Sequence, residues 1–208
     1  MADKMKIHLV DDDEAIRRSV GFMLRSTGFD VETYVSGVEF LAKVASATVG
    51  CVLLDIRMPE IDGLEVQRIL TSRGILFPVI VLTGHGDVTL AVRAIKAGAV
   101  DFLEKPFEKA VLLHSIEEAF RRIQDMGRGR FDAAEATTRL AALTPRECDV
   151  LQGLVRGHPN KVTAFELGIA IRTVEVHRAN LMHKLKVRSL SDVLRLAFAA
   201  GMDDALPA

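Results

Sequence analysis

The chain alternates short apolar runs with stretches whose apolar residues recur at helical spacing. KIHLV (6–10), VETYV (31–35), CVLLDI (51–56), PVIVLT (78–83) and AVDFLEK (99–105) read as five strands. Between them, Ile16, Val20, Met23 and Leu24, or Leu64, Val66, Ile69 and Leu70, mark the buried stripes of intervening helices. The central runs are apolar throughout, as parallel strands covered on both faces should be. This alternation predicts a doubly wound α/β fold with a five-stranded parallel sheet, whose ligands lie beyond the carboxyl ends of the strands. The pattern changes after an amphipathic segment at 111–123. DMGRGRFDAAEATT combines glycines, arginines and small polar residues and reads as a linker. From Thr144 onward only short helices are expected. TPRE (144–147) supplies a Thr N-cap, Pro at the first helical position and Glu at the third; SLSD (189–192) repeats the capping pattern. The expected organisation is one domain over 1–124, a linker over 125–142 and an all-α domain over 143–208.

The net charge of −1 conceals an asymmetry. Residues 1–124 carry 15 Lys and Arg against 18 Asp and Glu, whereas residues 138–208 carry 10 against 7. An acidic front and a basic back imply different partners for the two domains. With 49% hydrophobic residues the chain can build ordinary cores, which excludes wholesale disorder. No apolar run approaches the roughly 18–20 residues of a membrane helix. MADKMKIHLVDDD has no apolar segment ahead of its acids, so no secretory signal is expected. Cys51 and Cys148, set among apolar neighbours, suit small core fillers in a reducing cytoplasm.

Four acids, Asp11, Asp12, Asp13 and Glu14, follow the first strand directly. Like charges crowded there resist desolvation, a cost that a bound cation or full exposure would offset. Asp55 closes the third strand, Thr83 the fourth and Lys105 the fifth. Singly, each has an ordinary explanation as a cap, a strand residue or a loop residue. Their convergence on one sheet edge is what indicates a site. Carboxylates from two loops suit Mg²⁺, and a hydroxyl with an ammonium could hold phosphoryl oxygens. Asp13 and Glu14 fit the first turn of the following helix, where the macrodipole favours acids.

The order Asp-Asp, then DIRMPEIDG, then Thr, then KPF resembles the receiver domain of two-component response regulators across residues 5–124. The resemblance implies that Asp55 accepts a phosphoryl group from a sensor histidine kinase. It further implies Mg²⁺ bound by Asp12, Asp55 and the backbone carbonyl of Arg57, with Asp11 acting through water. Thr83 and Lys105 would grip the phosphoryl oxygens, Phe102 would be the aromatic of the switch, and Lys105–Pro106 would be cis. Arg57 and His85 flank the pocket. In such proteins the segment after Thr83 rearranges and dimerises, making Val92 and Lys96, one helical turn apart, candidates for a homodimer face.

Residues 143–197 resemble the LuxR-type helix-turn-helix of the NarL/FixJ regulators through LTPRE, the Asn160–Lys161 pair, TVEVH (173–177), Asn180 and KL (184–185). TGHGDV, KAGAVDFLEKPFE and RTVEVHRAN point to the FixJ branch. A helix over about 172–186 would pack Val174, Leu181 and Leu185 inward and turn Arg172, Glu175, Val176, Ala179, Asn180 and His183 toward a DNA major groove. Lys161, Arg172, Thr173, Lys184, Lys186 and Arg188 are candidates for phosphate contacts. Three features depart from the family pattern: Ala170 and Ile171 stand where Ser and Pro are usual, Thr163 replaces an apolar residue, and His158-Pro159 precedes Asn160.

The resulting expectation is a phosphorylation-activated, cytoplasmic, non-enzymatic transcriptional regulator. Its partners would be the kinase, double-stranded promoter DNA, RNA polymerase and a second copy, and not a membrane. A constitutive DNA binder is disfavoured by the complete Asp, Thr and Lys set. A phosphohydrolase using Asp11 and Asp13 would leave Asp55 and the C-terminal module without a role.

Overall fold

The computed structural model describes residues 5–84, 88–124, 133–187 and 189–202. The chain divides into two compact units, Met1–Gly86 with Ala97–Arg128, and Asp87–Lys96 with Gly129–Ala208.

The first unit contains β1 (Lys6–Val10), α1 (Glu14–Ser26), β2 (Asp30–Tyr34), α2 (Gly37–Lys43), β3 (Cys51–Asp55), α3 (Gly63–Ser72) and β4 (Val79–Thr83). After α4 (Val88–Lys96), which falls in the second unit, come β5 (Asp101–Glu104) and α5 (Lys109–Gln124). All strand pairs are parallel, in the order β2-β1-β3-β4-β5. Ile7, Leu9, Cys51, Leu53, Ile80 and Leu82 share one core with Val20 and Leu24 of α1 and Leu112 and Ile116 of α5. Their alternates Val10, Val52, Leu54 and Val81 are equally buried, so both faces are covered. That is why the strands show continuous apolar runs rather than alternation.

His8 is the polar member of this second face. Its Nε2 lies 2.9 Å from the Thr48 carbonyl oxygen, its Nδ1 3.1 Å from Tyr34 Oη, and its ring stacks on Phe77. Burial lowers its pKa and favours the neutral imidazole.

Asp13 caps α1, accepting the N–H of Ala15 at 2.7 Å, so that member of the acidic run is a helix start. Asp62 caps α3 in the same way. At Gly63, a Cβ would lie 2.2 Å from the Asp55 carbonyl oxygen. Only glycine lets α3 begin this close to the end of β3.

In the second unit, α4 joins α6 (Ala133–Leu140), α7 (Pro145–Val155), α8 (Asn160–Leu167), α9 (Ile171–Leu185) and α10 (Leu190–Ala199), with no strand among the described residues. Thr144 and Glu147 close a reciprocal capping box at α7, and Ser189 caps α10. Gly168, at φ +64°, makes the left-handed turn out of α8. Val150, Leu154, Ala164, Val174, Leu181, Leu185 and Leu194 are buried.

The structure corrects three expectations here. The segment 125–142 is not simply a linker, because α6 occupies part of it and packs on α10. Thr163 is accommodated rather than disruptive. It is buried against Gly153, where an added Cβ would lie 2.7 Å from Thr163 Oγ1. Val92 and Lys96 do not present a free face: Val92 is fully buried, and Lys96 Nζ lies 5.2 Å from the Phe198 ring centroid. Thr89 Oγ1 also donates to the Gly157 carbonyl at 3.0 Å, fastening α4 within this unit.

Candidate acidic site and nucleic-acid interface

Parallel strands bring their carboxyl ends to one edge, and the residues expected there meet. Asp11 follows β1 and is 1% exposed; Asp55 ends β3 and is also buried. Lys105, just past β5, places Nζ 2.6 Å from Asp11 Oδ2 and 2.5 Å from Asp55 Oδ1. Asp11 Oδ1 accepts the N–H of Asp13 at 2.9 Å, and Arg17 Nη1 donates to the Asp11 carbonyl at 2.7 Å. Arg17 was not singled out from sequence, where it is one basic residue on an amphipathic helix.

Thr83 is fully buried at the end of β4, and its carbonyl accepts the Lys105 N–H at 2.6 Å. The Lys105–Pro106 bond is cis. Phe102 is half-buried, while Asp12 and the Arg57 side chain are exposed. His85 lies outside the described residues.

Burial pushes the Asp55 carboxyl above its usual range, against the hydrogen bond and charge of Lys105, which lower it. Burial also opposes the Lys105 ammonium, but its bonds to Asp11 and Asp55 prevail and raise its pKa. One lysine therefore balances two buried carboxylates, with exposed Asp12 beside them. Although no group of three or more potential ligands converges at metal-binding geometry among the described residues, this donor set fits a hard divalent cation. The oxygens of Asp11, Asp12 and Asp55 leave a net negative charge that Lys105 alone does not cancel.

In the second unit, α9 buries Val174, Leu181 and Leu185 as its periodicity predicts. Arg172, Thr173, Glu175, Val176, Ala179, Asn180 and His183 are exposed, as is Lys161 on α8. The exposed side chains of α9 are compatible with groove entry. Lys186 is exposed in the αL position that ends α9; Arg188 lies outside the described residues. Ala170 provides no side-chain cap to α9.

Lys184 requires a correction as a free phosphate-binding cation, since its Nζ lies 2.7 Å from Glu147 Oε2 at the start of α7. Hydrogen bonds from Lys184 and Thr144 hold the Glu147 carboxyl down to about 2. Because the folded pKa is depressed, the associated stability is present above the usual carboxyl pKa. It is lost as pH falls from about 4.5 through about 2. Glu147→Gln should destabilise the C-terminal module by about 1–3 kcal/mol at neutral pH and flatten its acid-induced loss. Denaturant unfolding at pH 7 and pH 3, followed by a probe in this module, measures both effects.

Arg178 Nη1 donates to Asn160 Oδ1 at 2.6 Å, tying α9 to the start of α8. The partners are 18 residues apart, so sequence periodicity carried no signal for this bond.

Comparison with known proteins matches the chain to two family models. Residues 7–117 match the family model described as Response regulator receiver domain. Residues 141–197 match the model described as Bacterial regulatory proteins, luxR family. The chain is 45% identical over 210 residues to Transcriptional regulatory protein FixJ of Azorhizobium caulinodans, covering 100% of both chains. It is 42% identical to Response regulator protein TodT of Pseudomonas putida, covering 94% of this chain and 87% of that one. Among solved structures it is similar to full-length FixJ from B. japonicum, with a TM-score of 0.58, 44% identity and coverage of 97% and 99%.

Proposed function

The chain belongs to the response regulators that couple a receiver domain to a LuxR-type DNA-binding domain, it is a phosphorylation-dependent transcriptional regulator of a two-component system, and we propose that Asp55 is its phosphoryl acceptor. The observation that carries this assignment is the buried Asp55 carboxylate at the β3 end, held at 2.5 Å by Lys105. An Asp55 oxygen attacks the phosphorus of a kinase phosphohistidine, the P–N bond breaks, and the histidine leaves. Lys105 already supplies a cation at the attacking carboxylate, and Thr83 offers a hydroxyl from the adjacent strand end.

Receiver domains generally bind Mg²⁺ at this position. Here Asp11, Asp12, Asp55 and the Arg57 carbonyl would hold it, and when bound it neutralises charge between carboxylate and phosphoryl oxygens. Phosphorylation redirects Thr83 and Lys105 toward the new oxygens, with Phe102 following as the switch aromatic. Phosphorylation then drives homodimerisation. Two copies then engage two half-sites, which multiplies phosphate and base contacts. Glu175, Val176, Ala179, Asn180 and His183 read bases; Lys161, Arg172 and Thr173 position the phosphates. RNA polymerase is the further partner, and the cytoplasm the place of action. No helix among the described residues is long and apolar enough to cross a membrane.

Selection of bound DNA from a random library, with and without beryllofluoride and Mg²⁺, tests this function. The expected result is a palindromic motif enriched in the activated sample; equal enrichment in both would refute phosphorylation gating. In the same assay, Glu175→Ala should change the selected bases, whereas Lys161→Ala should weaken binding to all sequences alike. An unchanged motif in Glu175→Ala would displace the base-reading face from this side of α9.

A further inference from the structure

The recognition helix α9 is fastened unevenly. At its start, Ala170 has no side chain able to accept the first-turn N–H groups. At its end, the Lys186 and Val187 N–H groups satisfy the carbonyls of His183 and Met182. The Leu185 carbonyl, at the negative end of the helix dipole, receives the Arg139 guanidinium. Arg139 comes from α6, which precedes the matched LuxR-type region and was expected to be linker. Its side chain is only 25% exposed, and its pairing with Glu135 on the same helix, at 3.7 Å, is looser. One residue before this carbonyl, Lys184 is held by Glu147 of α7.

We infer that α6 is a functional helix of the DNA-binding module and that Arg139 is a positioning residue, which sets the recognition helix for DNA by binding the Leu185 carbonyl.

The inference rests on the DNA-binding role of α9 proposed above. Two charged side chains, from α6 and α7, converge on the last turn of α9, while its N-terminal turn, which approaches base edges in helix-turn-helix complexes, has no cap. The orientation of that turn is consequently governed from the other end. Arg139 donates to a carbonyl that no side-chain substitution at Leu185 can remove, and a charge-assisted bond of this kind is stronger than a neutral one. Its guanidinium is committed to protein, so its loss should weaken DNA binding without removing a DNA phosphate contact.

The test uses the full chain carrying Arg139→Gln, activated with beryllofluoride and Mg²⁺, and a random-sequence 40-bp duplex as probe. Amide exchange at Lys186 and Val187 in the DNA-free protein should accelerate by about tenfold, with the α7 amides unaffected. DNA affinity should fall by about three- to tenfold with the slope of log K against log salt unchanged. A slope reduced by about one would make Arg139 a phosphate contact and overturn the inference, as would wild-type affinity. Should Arg139→Gln not fold, Arg139→Lys keeps the charge but loses the planar fork. It should show both effects at about threefold, and wild-type values in both readouts would equally overturn the inference. If the wild-type protein bound no DNA at all, the proposed function would fail, while the exchange result would still decide whether Arg139 fixes the end of α9.

Discussion

Asp55→Asn should lower phosphoryl uptake from labelled acetyl phosphate by about 10⁴-fold or more, without loss of the fold. The amide is nearly isosteric with the carboxylate, so packing at the β3 end is preserved. What it lacks is an anionic oxygen able to form a bond to phosphorus. Stability should be unchanged or raised, because burial already disfavours the charged Asp55 carboxyl. Lys105 keeps Asp11, at 2.6 Å, as its remaining anionic partner. Labelling of the intact protein and a denaturant midpoint on the same sample separate the two effects. Uptake near the wild-type level would move the acceptor to another carboxylate, with exposed Asp12 and Asp13 the first to examine.

The elements that sequence made legible are those whose burial is complete. Every residue of β3 and β4 is buried, and both appear in the chain as apolar runs up to their last residues, Asp55 and Thr83. Parallel pairing then aligns their ends, which is why Asp55, Thr83 and Lys105 could be assigned to one edge before any geometry was known. The α7 start was legible for a different reason, since Thr144, Pro145 and Glu147 are three local signals within four residues.

What escaped was long-range or weakly patterned. The Glu147–Lys184 bond joins residues 37 apart, so a basic side chain that looks free in the sequence is committed to protein. Helix α6 buries only Ala136 fully and is rich in small residues and threonine, so it has the composition of a linker. On α4 the periodicity identifies an amphipathic helix but not what covers each face. Val92 and Lys96 were assigned to a dimer face, yet α7 and α10 both contact their helix. The departures at Ala170 and Thr163 have different consequences. The missing cap at Ala170 is real, whereas Thr163 is matched by the absence of a side chain at Gly153.

Lys105→Met should produce the second large effect, in stability as well as signalling. The substitution keeps much of the aliphatic stem and removes the ammonium, so the packing of the side chain changes less than the charge balance. Asp11 and Asp55 would then face each other in a largely buried site without the cation that hydrogen-bonds both. Removing one partner of a buried ion pair costs about 3–5 kcal/mol, because the remaining charge stays desolvated. The first unit should lose stability of that order at neutral pH in metal-free buffer. Millimolar Mg²⁺ should restore more stability to Lys105→Met than it adds to the wild type, since a dication would answer a larger uncompensated charge. Adding Asp11→Asn should also recover stability, by removing one of the two acids in place of supplying a cation. Urea midpoints for the wild type, the single variant and the double variant, each with Mg²⁺ and with a chelator, measure these couplings. A Lys105→Met protein as stable as wild type and indifferent to Mg²⁺ would show that the two carboxylates do not depend on this lysine. The site would then be a set of separate loop-end acids rather than an electrostatically coupled acceptor.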